Sequence, residues 1–187
     1  MILGSHNSWS YLSPKKWWMK PFAFVAKCQD KSISEQFSSG VRCFDLRVRF
    51  ENKKLIVAHG AMQYKIDKNQ LLEDLNFINN LGGCYVRILH EVRSTSQRTS
   101  ESVAMFKEFC KHIEETYTEI KFWCGKNLVD WTIEYEFSNN PSCEEKYSSV
   151  CPPKIIDDWI PVVYAKLNNK KILEKGTDKD ILLIDFV

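Results

Sequence analysis

Apolar residues recur along this chain in two rhythms. Between Arg42 and Phe50 the side chains of Phe44, Leu46, Val48 and Phe50 alternate with Cys43, Asp45, Arg47 and Arg49, the period-two pattern of a strand with one apolar face. Between Ser100 and Tyr117, Val103, Phe106, Cys110, Ile113 and Tyr117 instead fall on one stripe at helical spacing, with Thr99 or Ser100 placed to cap it. Extended over the whole chain, the two rhythms predict strands at Ile2–His6, Arg42–Phe50, Leu55–His59, Cys84–Val92, Ile120–Cys124, Thr132–Phe137 and Ile181–Val187. They predict helices at Ser32–Ser39, Gln70–Leu81, Ser100–Tyr117 and Asp157–Asn168. Ser32-x-x-Glu35 reads as a capping box, and Gly40 as the residue that stops that short helix. Pro141, Pro152 and Pro153 mark Ser138–Lys154 as a long loop.

Strand text alternating with helical text is the signature of an α/β unit. With reactive residues at the strand ends, the predicted fold is a TIM-type βα-barrel in a single domain spanning residues 1–187. Eight βα units ordinarily need about 200 residues or more. A chain of 187 residues therefore implies a compact or truncated barrel.

The candidate chemistry gathers at those ends. His6-Asn7-Ser8 follows the first predicted strand and Ala58-His59-Gly60 the third, while Asp45 and Arg47 share the inward face of the second if its apolar set packs on outer helices. An isolated Asp-x-Arg is more often a buried ion pair that fixes strand register. Two histidines at neighbouring strand ends move the reading towards catalysis. Two imidazoles and a guanidinium can take a proton from a nucleophile, return one to a leaving group and neutralise a phosphate between them. That is the toolkit of a metal-free phosphodiesterase. His90 and His112, on a strand and a helix, read as structural.

The same residues carry a resemblance. The run from Gln29 to Arg47, with Ser32-Ile33-Ser34-Glu35-Gln36-Phe37, Gly40-Val41-Arg42 and Phe44-Asp45-Leu46-Arg47, resembles the X-domain of phosphatidylinositol-specific phospholipases C, as do His6-Asn7 and Ala58-His59-Gly60. The resemblance covers the first half of the chain well and the second half thinly. It implies that His6 is the general base on the inositol 2-hydroxyl and His59 the general acid at the diacylglycerol oxygen. Arg47 would hold the phosphate oxygens, and Asp185, an acid in the apolar last strand, would orient His6. Calcium-dependent members carry an acid-x-acid pair where this chain has Asp45-x-Arg47, so the resemblance is to the metal-independent, bacterial type. Two positions depart from that pattern. Asn7 stands where bacterial members have an aspartate, and Glu91 stands where calcium-dependent members have a ligand, so Asn7, Asp45 and Glu91 form an alternative, weak Ca²⁺ site. Asn7, Glu91 and Tyr135 are the candidate substrate-binding residues. Trp123, Trp131, Tyr135 and Trp159 either line the pocket or fill the core. Two rival functions accompany this one: a glycerophosphodiesterase-like enzyme, which needs an acid-rich metal site that Arg47 disfavours, and a non-catalytic lipid-binding relative, suggested by Asn7 and the thin second half.

Composition narrows the partners. A net charge of +2 is too small for a surface that tracks nucleic acid. No window of about 18 apolar residues occurs, and Gly4-Ser5-His6 follows Met1 too closely for a signal peptide. Seven cysteines without a Cys-x-x-Cys pair read as reduced thiols in a cytoplasmic, monomeric protein, with Cys143 and Cys151 a disulfide candidate only on export. Finally, Ser13 to Phe24 interleaves Trp17, Trp18, Met19 and Phe22 with Lys15, Lys16 and Lys20 between Pro14 and Pro21. Prolines limit any helix there to a turn or two, and the mixture suits contact with an anionic membrane surface.

Overall fold

The computed structural model describes residues 1–66, 68–92, 97–124, 135–148 and 160–187. Eight strands share one sheet: β1 (Ile2–Ser5), β2 (Cys43–Glu51), β3 (Lys54–His59), β4 (Met62–Gln63), β5 (Tyr85–His90), β6 (Lys121–Trp123), β7 (Cys143–Lys146) and β8 (Ile181–Ile184). Six of them run parallel in the order β7-β8-β1-β2-β5-β6. Neighbours in sequence are thus neighbours in space, and β1 pairs with β8, which is how a βα-barrel closes. Among the described residues β6 and β7 each have one neighbour, so the sheet is a curled half-barrel, a truncated TIM-type fold.

The alternation in β2 separates two layers of packing. Phe44, Leu46 and Val48 point outward with Val86 and Ile88 of β5. They meet Leu71, Leu75 and Ile78 of α3 (Lys68–Leu81) and Phe106, Cys110 and Ile113 of α4 (Ser100–Thr116). Cys43, on the other face of β2, joins Trp123, Ile181 and Leu183 in a smaller inner cluster. In the outer layer α4 is capped by the Thr99 side chain, as its sequence predicts. The capping box also forms, with Ser32 Oγ accepting from Glu35 N–H and the Glu35 carboxylate accepting from Ser32 N–H at the start of α2 (Ile33–Ser38).

Several boundaries differ from the expectation. β3 is not a barrel strand but the returning arm of a hairpin, antiparallel to β2 from Val48↔Val57 to Glu51↔Lys54. The two-residue turn Asn52-Lys53 has φ of 50° and 60°, the mirror-image turn that matches strand twist. The hairpin brings His59 back to the level of the β2 arginines. The expected loop 138–154 contains β7, an edge strand paired with β8. Its sequence Cys-Glu-Glu-Lys has no apolar face, which hid it. The last helix, α5, runs Pro161–Lys175, with Pro161 in its first turn where a missing N–H costs nothing. The predicted strand at Thr132–Phe137 lies partly outside the described residues, and Tyr135 to Phe137 are not extended into a ladder. Trp131, Cys151, Trp159 and the predicted start of the last helix at Asp157 also fall outside them. No described helix is long and apolar enough to cross a membrane.

The hairpin turn yields a stability prediction. Lys53 occupies a left-handed conformation that costs a side chain with a Cβ about 1 kcal/mol, and its ion pair to Glu101 is exposed and 3.8 Å long. Such pairs contribute little. Lys53→Gly should therefore raise stability by about 0.5–1 kcal/mol, completing the Asn-Gly pair this turn favours. Thermal denaturation measures it, and a lower Tm would show that the Glu101 contact outweighs the strain.

Candidate active site

The register of β1 against β8 sets the first half of the site. Ser5 pairs with Ile184, and His6 N–H donates to the Ile184 carbonyl at 2.9 Å, which brings the side chains that follow each strand together. His6 Nδ1 lies 2.6 Å from Asp185 Oδ1 in a pair sealed from solvent. The other carboxylate oxygen accepts from Ser148 N–H and Oγ–H at 3.0 and 3.1 Å. With its Nδ1 proton held by the acid, the ring presents Nε2 as a lone pair, buried and without a hydrogen-bond partner among the described residues. Tyr147 stacks on the same imidazole, centroids 3.6 Å apart and planes within 6°.

After His6 the chain turns sharply. Asn7 adopts φ 45°, ψ 60°, a left-handed conformation that asparagine tolerates better than most residues. The turn is held by Asp45. Its Oδ2 accepts Asn7 N–H at 2.9 Å, and its own N–H donates to Ser8 Oγ at 2.9 Å. Gln29 braces the same turn, donating to the carbonyls of His6 and Ile184 at 3.1 Å each.

Asp45 also organises the cations. It is fully buried, and its oxygens receive Arg47 Nε at 3.0 Å and Arg87 Nε at 2.9 Å. Arg87 reaches it because Asp45 pairs in register with Arg87 on β5. Burial opposes ionisation of this acid, yet the Arg47 and Arg87 guanidinium groups overcome it and hold the carboxyl well below the usual range. Arg47 then reaches Glu91 Oε2 at 3.4 Å, and Asp45 and Glu91 together keep its guanidinium charged against burial. Glu91 Oε1 accepts Gly60 N–H at 2.7 Å, tying the turn after His59 into the network. On the opposite side Arg87 pairs with Glu145, which accepts from the Tyr147 hydroxyl.

His59 stands across from His6, ring centroids 5.5 Å apart at 89°. Its Nδ1 is 3.0 Å from the Ala26 carbonyl, which can only accept, so Nδ1 carries the proton and Nε2 is left for chemistry. Burial, and then the Arg47 guanidinium, push this imidazole down to about 4. Cys28 lies beside it, Sγ 3.8 Å from His59 Nδ1, and burial pushes the thiol well up.

All five expected catalytic residues, His6, Asp45, Arg47, His59 and Asp185, are therefore brought together, along with Asn7 and Glu91. Tyr135 is not among them. Its hydroxyl donates to Glu114 of α4 at 2.9 Å and its ring packs on Phe137, so it belongs to the outer layer, a correction to its expected place near substrate. Trp123 fills the inner cluster, and His90 stacks on Phe106 of α4. Arg87, Glu145, Tyr147 and Cys28 were missed. The alternative calcium site fits poorly, because the oxygens of Asp45 and Glu91 are already engaged by guanidinium and amide donors. Three donors of another kind, one each from His6, Cys28 and His59, lie within 4.8 Å of one another.

The expected membrane segment forms a 3₁₀ helix, Trp17–Phe22, with no buried residue. Trp17 and Trp18 are 79 % and 52 % exposed, Phe22 and Phe24 are also exposed, and Lys16 Nζ sits 5.5 Å over the Trp18 ring. The short helix α1 (Ala23–Ala26) follows at once and ends at the carbonyl bonded to His59 and Tyr64. The exposed aromatics thus lead directly into the site.

This arrangement is a mixed α/β half-barrel with two opposed histidines at one rim. The fold is that of the bacterial phosphatidylinositol-specific phospholipases C. The enzyme from Listeria monocytogenes matches with a TM-score of 0.66 and 15% identity, over 99% of this chain and 87% of that one. A mutant of the Staphylococcus aureus enzyme matches with 0.64 and 18%, over 99% and 84%. Another structure of that enzyme, from work on the modulation of its membrane binding, matches with 0.62 and 17%, over 99% and 85%. No family model and no curated protein matches the sequence.

The low position of His59 has a consequence for acid stability. Above pH 6.5 the ring is neutral both folded and unfolded, so it adds no pH dependence. Below that the unfolded chain takes up the proton first, and stability is lost as pH falls towards the folded value of about 4. The full loss is up to roughly 3 kcal/mol at 1.36 kcal/mol per unit. His59→Gln, which keeps a donor for the Ala26 carbonyl, should flatten the fall in Tm between about pH 7 and about pH 5. An unchanged slope would place the controlling charge elsewhere.

Proposed function

We propose that this chain cleaves the phosphodiester bond of phosphatidylinositol, or a closely related phospholipid, without a metal ion. The observation that carries the reading is the pair of opposed imidazoles, each with Nδ1 committed to an acceptor, flanking a buried guanidinium. In the first step His6 Nε2 removes the proton of the inositol 2-hydroxyl, whose oxygen attacks phosphorus. Asp185 stabilises the imidazolium formed, as an acid does in other base-orienting pairs. Arg47 stabilises the charge that gathers on the non-bridging oxygens. The bond from phosphorus to the glycerol oxygen breaks, and His59 delivers a proton to that oxygen. Diacylglycerol and a cyclic inositol phosphate result.

Burial leaves His59 neutral in the free protein at neutral pH, so the acid must be charged by what binds. A phosphodiester anion beside the ring supplies that bias, because an opposite charge favours the protonated form. Arg87, Glu145 and Tyr147 offer further hydrogen-bonding groups to a polyol headgroup on the far side of His6. The exposed tryptophans and lysines dock the mouth on an anionic surface.

Two experiments test this reading. Turnover of phosphatidylinositol vesicles should survive EGTA, and Arg47→Ala should lower kcat by about 10²–10³-fold, the loss seen for comparable charge-stabilising donors. Loss of activity on chelation, restored by Ca²⁺, would return Asn7, Asp45 and Glu91 to the role of ligands. No turnover by the unmodified chain despite vesicle binding would favour a non-catalytic lipid-binding protein. Separately, the double variant Trp17→Ala, Trp18→Ala should weaken vesicle binding and vesicle turnover while sparing a short soluble substrate. Equal losses on both substrates would remove the patch from membrane docking.

A further inference from the structure

Cys28 has no part in the proton transfers, yet its sulfur is as firmly placed as the histidines. Its N–H donates to Ser10 Oγ at 2.9 Å and its carbonyl accepts Phe186 N–H at 2.7 Å, so both sides of the residue are pinned between the first turn and the end of β8. The thiol is free and sealed from solvent. One donor atom from each of His6, Cys28 and His59 falls within 4.8 Å of the other two.

We infer that these three side chains form a binding site for a thiophilic divalent ion, Zn²⁺ above all, whose occupancy blocks the site. Two imidazoles and a thiolate are a borderline-soft donor set that suits zinc rather than calcium or magnesium. The surroundings are those of a metal ligand set. His6 Nδ1 is held by Asp185, the outer contact that orients a metal-binding histidine and leaves its Nε2 free, while Cys28 Sγ approaches His59 on its Nδ1 side at 3.8 Å, where zinc would compete with the Ala26 carbonyl. His6 Nε2 is itself buried without a partner. Zinc would draw the donors to about 2.0–2.3 Å and leave a fourth position for water or a phosphate oxygen. Binding exchanges the thiol proton, released to solvent, for a zinc–sulfur bond. The nearby Arg47 charge is offset by Asp45 and Glu91, so the ion does not face an uncompensated cation.

Inhibition rests on the catalytic reading above, since zinc would occupy the His6 lone pair used for proton transfer and hold His59 as a ligand. Occupancy does not rest on it. The test is therefore spectroscopic first, on reduced chain freed of any affinity tag. Cobalt(II) should bind one ion per chain with a cobalt–thiolate charge-transfer band and tetrahedral d–d absorption, both lost on adding Zn²⁺. Cys28→Ser should abolish the charge-transfer band, and His59→Gln should weaken cobalt binding at least tenfold, which decides the matter if the serine variant does not fold. In vesicle assays micromolar zinc should inhibit the unmodified chain, with at least tenfold less sensitivity in Cys28→Ser. A missing thiolate band, or one that persists in Cys28→Ser because another cysteine supplies it, would overturn the site. Turnover measured without zinc tests the catalytic reading separately.

Discussion

A single buried carboxylate organises the functional end of this molecule. Asp45 holds Arg47 and Arg87 on its two oxygens and the backbone of Asn7 on one of them. Sealing charge from water is expensive, and truncating one partner of such a network leaves the others uncompensated. The chain of contacts is nearly continuous. It runs from the turn after His59 through Glu91, Arg47, Asp45, Arg87, Glu145 and Tyr147 to the face of His6, and then through Asp185 to Ser148. The two opposed imidazoles are therefore positioned by one network rather than by independent loops. A displacement at Asp45 would be felt at both.

Burial acts in opposite directions on the members of this network. It opposes charge on Arg47, but two carboxylates more than compensate, so the guanidinium stays protonated in the dry site. It opposes charge on His59 as well, and there the Arg47 cation outweighs Glu91, so the ring is held low. Under the proposed function a phosphodiester would supply the missing charge, and under the zinc inference a soft dication would meet a neutral imidazole. The same geometry underlies both proposals, and Cys28 is the donor that sets the second apart.

Much of this was legible in the sequence because strand alternation is strict. Once Phe44, Leu46 and Val48 face helices, Asp45 and Arg47 must face inward, and the capping box at Ser32 and Glu35 announces α2 locally. What escaped was whatever depends on pairing between distant segments. Arg87 reads as one cation in an apolar strand until the parallel register sets it opposite Asp45. Glu145 sits on, and Tyr147 just after, a strand with no apolar face, since Glu145 turns towards the arginine network while Glu144 pairs with Lys146 at the surface. No period-two signal marks such a strand. Tyr135 failed for the converse reason, because an aromatic near polar text suits an outer-layer contact with Glu114 as well as a pocket.

The half-barrel keeps its site because the parts that need tight placement lie away from its open side. His6 and Asp185 follow β1 and β8, the pair that joins the two ends of the chain, and Asp45 and Arg87 lie on β2 and β5. Each of these four strands has partners on both sides within the described sheet. Glu145 lies on β7, which has one neighbour among the described residues, and Tyr147 just after it, and both are tethered inward, one by Arg87 and the other by stacking on His6. Beneath them Trp123 of β6 packs with Cys43, Ile181 and Leu183 in the inner cluster. The placement of His6 and His59 is thus set by the pairings of β1 with β8 and of β2 with β3, rather than by those of β6.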